Sequence, residues 1–224
     1  MLSIIIPTYN EKENIEKLVP KIFRYLRKMD EVIIVDDKSP DGTGEVAEKL
    51  VKKYNVVPIH RKAKLGLSSA VIAGIRVAKG DYIGVMDADF SHPPQIIPNL
   101  LKELRRHDIV IASRYIGGGG IVNWSKRRKV VSKGATYLAR PLTNIKDPMS
   151  GFFFFRKGIL SGIALSPKGF KICLEVIVKT KSRKKEIPYT FVDRLKGKSK
   201  MGKKEIWNYI IHLSRLYKYK ITRK

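Results

Sequence analysis

The sequence predicts a single α/β domain with a mainly parallel central sheet and helices on both faces. Three observations predict it. Strand and helix signals alternate from residue 2 to residue 112. The strand candidates are continuous apolar runs, such as Ile4-Ile5-Ile6 and Val32-Ile33-Ile34-Val35, which suit strands covered on both faces. Polar clusters follow three of these strands, at the carboxyl ends where open parallel sheets bind ligands.

Residues 2–6 form a β-branched run stopped by Pro7. Asn10, with Glu13 three residues on, reads as a helix cap leading into Ile15, Leu18, Ile22, Tyr25 and Leu26 at helical spacing. Residues 31–35 are a second buried strand, ending in Asp36-Asp37. Ser39-Pro40-Asp41-Gly42-Thr43-Gly44 is turn chemistry ahead of a helix through Leu50 and Tyr54. Residues 56–59 read as a third strand, 67–78 as a small-residue helix able to pack closely on a sheet, and 82–86 as a fourth strand ending in Asp87-Ala88-Asp89. Pro93-Pro94 opens a helix to residue 104, and residues 109–112 are a fifth strand.

The second half is less regular. Residues 117–120 are a flexible glycine turn, followed by a basic helix over 125–138, a buried strand over 152–155, an apolar helix over 170–178 and a strand over 187–192. Residues 194–204, with Gly197 and Gly202, read as a mobile basic loop. A last helix over 203–219 places Ile206, Ile210, Leu213 and Tyr217 on one stripe, with Asn208, His212 and Arg215 opposite. The 181–185 run reads as a solvated turn. No internal repeat and no linker divides the chain.

Charge is distributed unevenly. The 224 residues hold 46 Lys and Arg against 20 Asp and Glu, a net of +26. Residues 1–120 carry 19 basic and 15 acidic side chains, whereas residues 121–224 carry 27 and 5. The second half is therefore expected to meet something anionic: phosphates, nucleic acid or an acidic membrane surface. At 43% apolar and 9% aromatic the chain can bury a core, which excludes global disorder. No apolar run reaches the ~18–20 residues of a membrane span. The opening residues lack the basic region of a secretory signal, and the lone Cys173 suits a reducing cytosol. A soluble, cytosol-facing protein is expected.

Asp87 and Asp89, two residues apart at a strand end, would point their carboxylates the same way. Two hard oxygen ligands suit Mg²⁺ or Mn²⁺, which take one or two protein carboxylates and complete their shells with water and phosphate. No Gly-x-Gly-x-x-Gly follows the first strand and no P-loop occurs, which disfavours dinucleotide enzymes and P-loop NTPases. His60, His92, His107 and His212 share no metal spacing and read as structural or solvated. Cys173 and the 152–155 phenylalanines read as core.

The runs Ile4-Ile5-Ile6-Pro7-Thr8-Tyr9-Asn10-Glu11, Val35-Asp36-Asp37-Lys38-Ser39-Pro40-Asp41-Gly42-Thr43 and Asp87-Ala88-Asp89 resemble inverting glycosyltransferase family 2. Four later runs resemble the members of that family that mannosylate dolichyl phosphate. They are Ser113-Arg114-Tyr115 before the glycine turn, Lys126-Arg127-Arg128-Lys129, Asp147-Pro148-Met149-Ser150-Gly151-Phe152 and residues 191–200. The resemblance covers about residues 2–205. It implies the GT-A fold of nucleotide-diphospho-sugar transferases, with 1–205 as the catalytic domain, 1–120 as its nucleotide-sugar half and 121–205 as its basic acceptor-binding half. Residues 206–224 are then an amphipathic basic helix that can touch a membrane surface.

Carried over residue by residue, the resemblance implies that Pro7, Tyr9, Glu11, Asp36 and Asp37 hold the nucleoside. Asp87 and Asp89 hold the metal and donor diphosphate. Family members often carry a glutamine two residues after the second aspartate; here it is Ser91, which implies a weaker hydroxyl or water contact to the metal. Arg114, Arg128 and Ser132 match positions that grip the acceptor phosphate, and Arg194 and Lys200 match a loop that closes over the phosphates. Asp147 is a candidate for orienting the sugar or an arginine. The implied reaction moves mannose from GDP-mannose to a dolichyl or polyprenyl phosphate at the cytosolic membrane face. A phosphate monoester, with a second pKa near ~6, is already an ionised nucleophile. Arginines for alignment and charge neutralisation, rather than a strong base, are the groups such a reaction needs.

The implied partners are a nucleotide sugar, the lipid phosphate, an anionic membrane surface and a separate membrane-anchor protein. The motifs leave open a donor such as UDP-glucose. A basic nucleic-acid-binding domain is the non-enzyme alternative. It is disfavoured because no nucleic-acid motif appears and three acidic clusters would repel a polyanion.

Overall fold

The computed structural model describes residues 1–166, 171–193 and 203–222. The chain runs β1 (Leu2–Thr8), α1 (Lys12–Phe23), β2 (Glu31–Asp36), α2 (Thr43–Val51), β3 (Val56–His60), α3 (Leu67–Val77), β4 (Tyr82–Val85), α4 (Ile97–Leu104) and β5 (Ile109–Ser113). It continues through β6 (Gly120–Val122), α5 (Lys126–Ala139), β7 (Phe153–Arg156), α6 (Ile172–Lys179), β8 (Lys184–Pro188), β9 (Thr190–Val192) and α7 (Lys203–Thr222). Seven strands form the central sheet in the order β3-β2-β1-β4-β7-β5-β8. β7 lies antiparallel between β4 and β5, and the other neighbours pair in parallel.

The continuous apolar runs are explained by two covered faces. Ile4, Ile6, Val32, Ile34, Phe152 and Phe154 pack toward α1, α2 and α4. Ile5, Ile33, Val35, Phe153 and Phe155 pack toward α3 and α6. Strand alternation thus sends successive residues into opposite cores. Close approach of α3 depends on Gly74, where an added Cβ would fall 2.6 Å from Ile5. A third cluster joins α5, α6 and α7 through Ala139, Leu142, Leu174, Tyr209, Leu213 and Leu216.

Several expectations are corrected. Asn10 does not cap α1; it sits at φ 59°, and Glu11 occupies the N-cap position. The 187–192 strand is two strands: β8 extends back to Lys184 and joins β5, whereas β9 leaves the sheet to pair with β6. The lysine run at 181–185 is therefore partly sheet edge. In α7 the inward stripe is Tyr209, His212, Leu213 and Leu216, while Ile210 is exposed. His212, expected on the outer face, is buried. α7 starts before residue 206 and packs on α6, so it is an integral part of the fold.

Candidate active site

Parallel register brings the polar strand ends to one edge, with Thr8 opposite Asp36 and β1 running between β2 and β4. Asp36 accepts hydrogen bonds from the Thr8 hydroxyl at 3.2 Å, the Ser39 amide at 3.0 Å and the Ser39 hydroxyl. Asp37 accepts from Arg61 Nη1 at 2.6 Å and from the Leu65 and Gly66 amides at 3.0 and 2.8 Å. Its side chain is only 6% exposed, so this carboxylate organises the 61–66 loop. That loop carries Lys64, whose ammonium lies 3.6 Å above the Tyr9 ring. Glu11 accepts from Asn14 Nδ2 at 2.6 Å, and its amide donates to the Thr43 hydroxyl. Pro7, Tyr9 and Glu11 are half-buried along this end.

The second acidic pair is set differently. Asp87 and Asp89 occupy the turn after β4, with Ala88 buried between them. Asp87 keeps 37% of its side chain exposed. Asp89 accepts from both the amide and the hydroxyl of Ser91, so Ser91 meets the site through that carboxylate. The Asp87 amide donates to His92 Nδ1 at 2.8 Å, and His92 Nε2 faces Asp87 Oδ2 at 3.7 Å. Accepting at Nδ1 makes this imidazole neutral with its proton on Nε2. Burial pushes the His92 pKa down to about 4, against the pull of Asp89 and Asp147. Gly151 closes on the same group: a Cβ there would stand 3.0 Å from the His92 ring and 3.1 Å from Asp87 Oδ2. Among the described residues no three or more His, Cys, Asp and Glu side chains form a group that could hold a metal ion. Two carboxylates in one turn still fit Mg²⁺ or Mn²⁺, which leave most of their shell to water and phosphate oxygens.

An aromatic wall links this turn to the basic half. The His92 ring stacks on Phe152 at 5.0 Å and meets Tyr189 and Phe191 edge-on. Phe191 meets Trp124 at 5.4 Å. Arg114 lies 5.4 Å from the Trp124 ring and 5.6 Å from Phe191, and Arg128 lies 4.1 Å from Trp124. Arg114 also grips Asp147 with two parallel bonds of 2.7 Å, while its amide donates to the same carboxylate. Burial disfavours the guanidinium charge, but the bonds to Asp147 outweigh it and hold the pKa above its ordinary value. Asp147 is itself fully buried, and its amide donates to Glu186. Arg128 pairs with Asp193, and its amide caps α5 through Ser125. The Tyr115 hydroxyl donates to Ser132 at 2.8 Å. Arg194 and Lys200 lie outside the described residues.

Two residues in this region escaped sequence reasoning. His92 carried a signal, because it lies three residues after Asp87-Ala88-Asp89, but only the fold shows it behind Asp87. Lys171, at the N-cap of α6, has its pKa pushed down to about 8 by burial and by Arg114, with Asp147 and Asp87 pulling the other way. No local motif marks it.

Comparison with known proteins sets this geometry in context. The model of "Glycosyl transferase family 2" matches residues 3–163. The chain is 47% identical to a dolichol-phosphate mannosyltransferase of Pyrococcus furiosus over 97% of its own length and 64% of that protein's. It is 40% identical to a dolichol-phosphate mannosyltransferase of Saccharomyces cerevisiae, covering 97% of this chain and 87% of the yeast protein. Among solved structures, mannosyltransferase PcManGT from Pyrobaculum calidifontis, in complex with GDP-Man and Mn²⁺, superposes with a TM-score of 0.66 at 19% identity. That match covers 96% of this chain and 64% of that one. The chain thus spans just under two thirds of the length of the Pyrococcus protein and of PcManGT.

Proposed function

The chain belongs to glycosyltransferase family 2, and from that premise we propose that it moves mannose from GDP-mannose to a dolichyl or polyprenyl phosphate, with a divalent metal and inversion at the anomeric carbon. The observation that carries this reading is the aromatic wall that sets Arg114 and Arg128 behind the Asp87–Asp89 turn. It puts a carboxylate pair suited to a metal and a diphosphate beside guanidinium groups suited to a second phosphate. The names of the Pyrococcus and yeast relatives favour the lipid acceptor, and the GDP-Man and Mn²⁺ of PcManGT agree with the donor and metal.

In this reading Pro7, Tyr9, Glu11 and Asp36 border the nucleoside, and Asp37 serves it by holding the loop that places Lys64 over Tyr9. Asp87 and Asp89 hold Mg²⁺ or Mn²⁺, with Ser91 orienting Asp89. A metal held by Asp87 and Asp89 would supply positive charge against the leaving diphosphate. Arg128 and Ser132 take the acceptor phosphate. Arg114 is fixed by Asp147 and adds positive potential from behind, and Arg194 and Lys200 belong to the phosphate-closing segment. An acceptor phosphate oxygen forms the new bond to the anomeric carbon while the bond to GDP breaks and GDP keeps the electron pair. The nucleophile is already ionised, so no residue need remove its proton. The catalytic unit includes α7, and its basic half faces an anionic cytosolic membrane surface where a separate membrane protein can anchor it. Among the described residues no helix is long and apolar enough to cross a membrane.

A transfer assay with GDP-mannose, UDP-glucose and a short polyprenyl phosphate, with product analysis by mass, tests the reading. Mannosyl phosphate lipid formed only with GDP-mannose and divalent metal is expected. Transfer to another acceptor class, or undiminished transfer in excess chelator, refutes it.

A further inference from the structure

We propose that His92 is a positioning residue for the metal: its Nδ1 ties down the Asp87 backbone, and its Nε2–H sets the direction of the Asp87 carboxylate. This rests on the metal role given to Asp87 and Asp89 above. Both ring nitrogens face that one residue. Nδ1 accepts from the Asp87 amide at 2.8 Å, which leaves the ring proton on Nε2, and Nε2 stands 3.7 Å from Asp87 Oδ2. At that distance the proton faces the carboxylate without bonding to it, and a closure of roughly 0.8 Å would bring the pair to ordinary bond length. Donors of this kind behind a ligating carboxylate orient it toward a cation.

The ring is clamped in this position. It is 1% exposed, stacks on Phe152 at 5.0 Å and 20°, and meets Tyr189 and Phe191 edge-on. A side chain needed only to fill space among three aromatic rings would be apolar, because a buried polar group is costly unless it is used. The nitrogens are used, and on Asp87. Gly151 crowds the same pair: an added Cβ would stand 3.0 Å from His92 Cε1 and 3.1 Å from Asp87 Oδ2.

The turn itself needs fastening. Phe90 lies in the left-handed region at φ 62°, a conformation that a bulky residue keeps only where its surroundings impose it. Ser91 bonds Asp89 through its amide and hydroxyl, and His92 bonds the Asp87 amide. Each acid of the pair therefore has its own holder, on consecutive residues.

The two ring nitrogens can be replaced separately. His92→Asn keeps an acceptor near Nδ1 for the Asp87 amide and lacks the donor that faces Oδ2. His92→Gln keeps a donor near Nε2 and gives up the backbone bond. Mn²⁺ binding at saturating GDP is read from loss of the free-Mn²⁺ electron paramagnetic resonance signal, alongside urea unfolding of the same proteins. His92→Asn is expected to raise the Mn²⁺ dissociation constant by about tenfold or more, and His92→Gln by no more than about threefold, although glutamine costs more urea stability. Wild-type Mn²⁺ affinity in His92→Asn, or affinity that falls in step with stability across the two variants, overturns the proposal. Gly151→Ala presses on the ring and on Oδ2 while keeping both nitrogens, so it too should weaken Mn²⁺ binding; unchanged affinity there overturns the proposal even if His92→Asn fails to fold. A wild type that binds no Mn²⁺ with GDP refutes the metal reading and takes this role of His92 with it. Equal Mn²⁺ binding by wild type and His92→Asn removes the role of His92 alone.

Discussion

Two acidic pairs flank β1 at the same sheet edge, and they are built for opposite ends. Asp36 and Asp37 are buried and saturated with donors, including a guanidinium and three backbone amides. Asp87 and Asp89 sit in a turn that leaves Asp87 more than a third exposed and holds its backbone through His92. The first pair uses its charge to fix loops; the second keeps charge facing outward. Identical residue types at matching strand ends therefore divide into scaffold and candidate ligand according to how deeply the fold buries them.

The sharpest way to break this contrast is to remove one acid from each pair. Asp89→Ala is expected to lower transfer by a factor on the order of 10³ and abolish divalent-dependent GDP binding, with urea stability intact. Asp37→Ala should do the reverse to stability, because it strands the nearly buried Arg61 charge at a cost of about 3–5 kcal/mol. Equilibrium unfolding and calorimetric GDP titration of both variants decide it. Equal stability loss in the two would erase the distinction.

A second comparison sets the two arginines against each other. Asp147→Ala leaves Arg114 buried and unpaired, so a loss of about 3–5 kcal/mol in unfolding free energy is expected. Arg128, more exposed and paired with Asp193, should cost at most about 1 kcal/mol when changed to alanine. Arg128→Ala is nevertheless expected to raise the acceptor KM at least tenfold while leaving GDP affinity unchanged. Loss of GDP binding in that variant would merge the donor and acceptor regions.

His92 sharpens the acid-pair contrast through pH. An unfolded imidazole takes up a proton below about pH 6.5, whereas the buried ring refuses it until about pH 4. Acid therefore favours unfolding across that window, by about 3 kcal/mol when it is fully crossed. A His92→Gln variant should lack that share of the acid destabilisation seen in the wild type. Parallel stability curves for the two proteins between pH 6.5 and 4 would contradict it.

The smallest effect concerns the charge asymmetry of the two halves. Anionic vesicles should bind the protein and neutral ones should not, with most binding lost in high salt, since exposed charges are screened beyond ~8 Å at physiological ionic strength. Because α7 packs on the core through Leu213 and Leu216, deleting it would unfold more than it reports. Trp207→Ser with Ile210→Ser, both exposed, is the cleaner probe of apolar insertion. Unchanged vesicle affinity in the double variant would leave docking to charge alone.

By itself the sequence determined the alternating α/β order, the double-sided sheet and the three polar strand ends. These depend on short-range periodicity and on β-branched runs, which local chemistry dictates. It also determined the division between a near-neutral half and a basic one. Tertiary structure alone decided that β7 inserts antiparallel between β4 and β5, and that the strand near residue 187 splits between two sheets. It alone joined Arg114 to Asp147 across 33 residues, placed His92 behind Asp87, and turned Leu213 and Leu216 inward. Each of these is a contact between segments distant in sequence. A residue's burial and bonding partner depend on which neighbour arrives from elsewhere in the chain, and no local pattern carries that information.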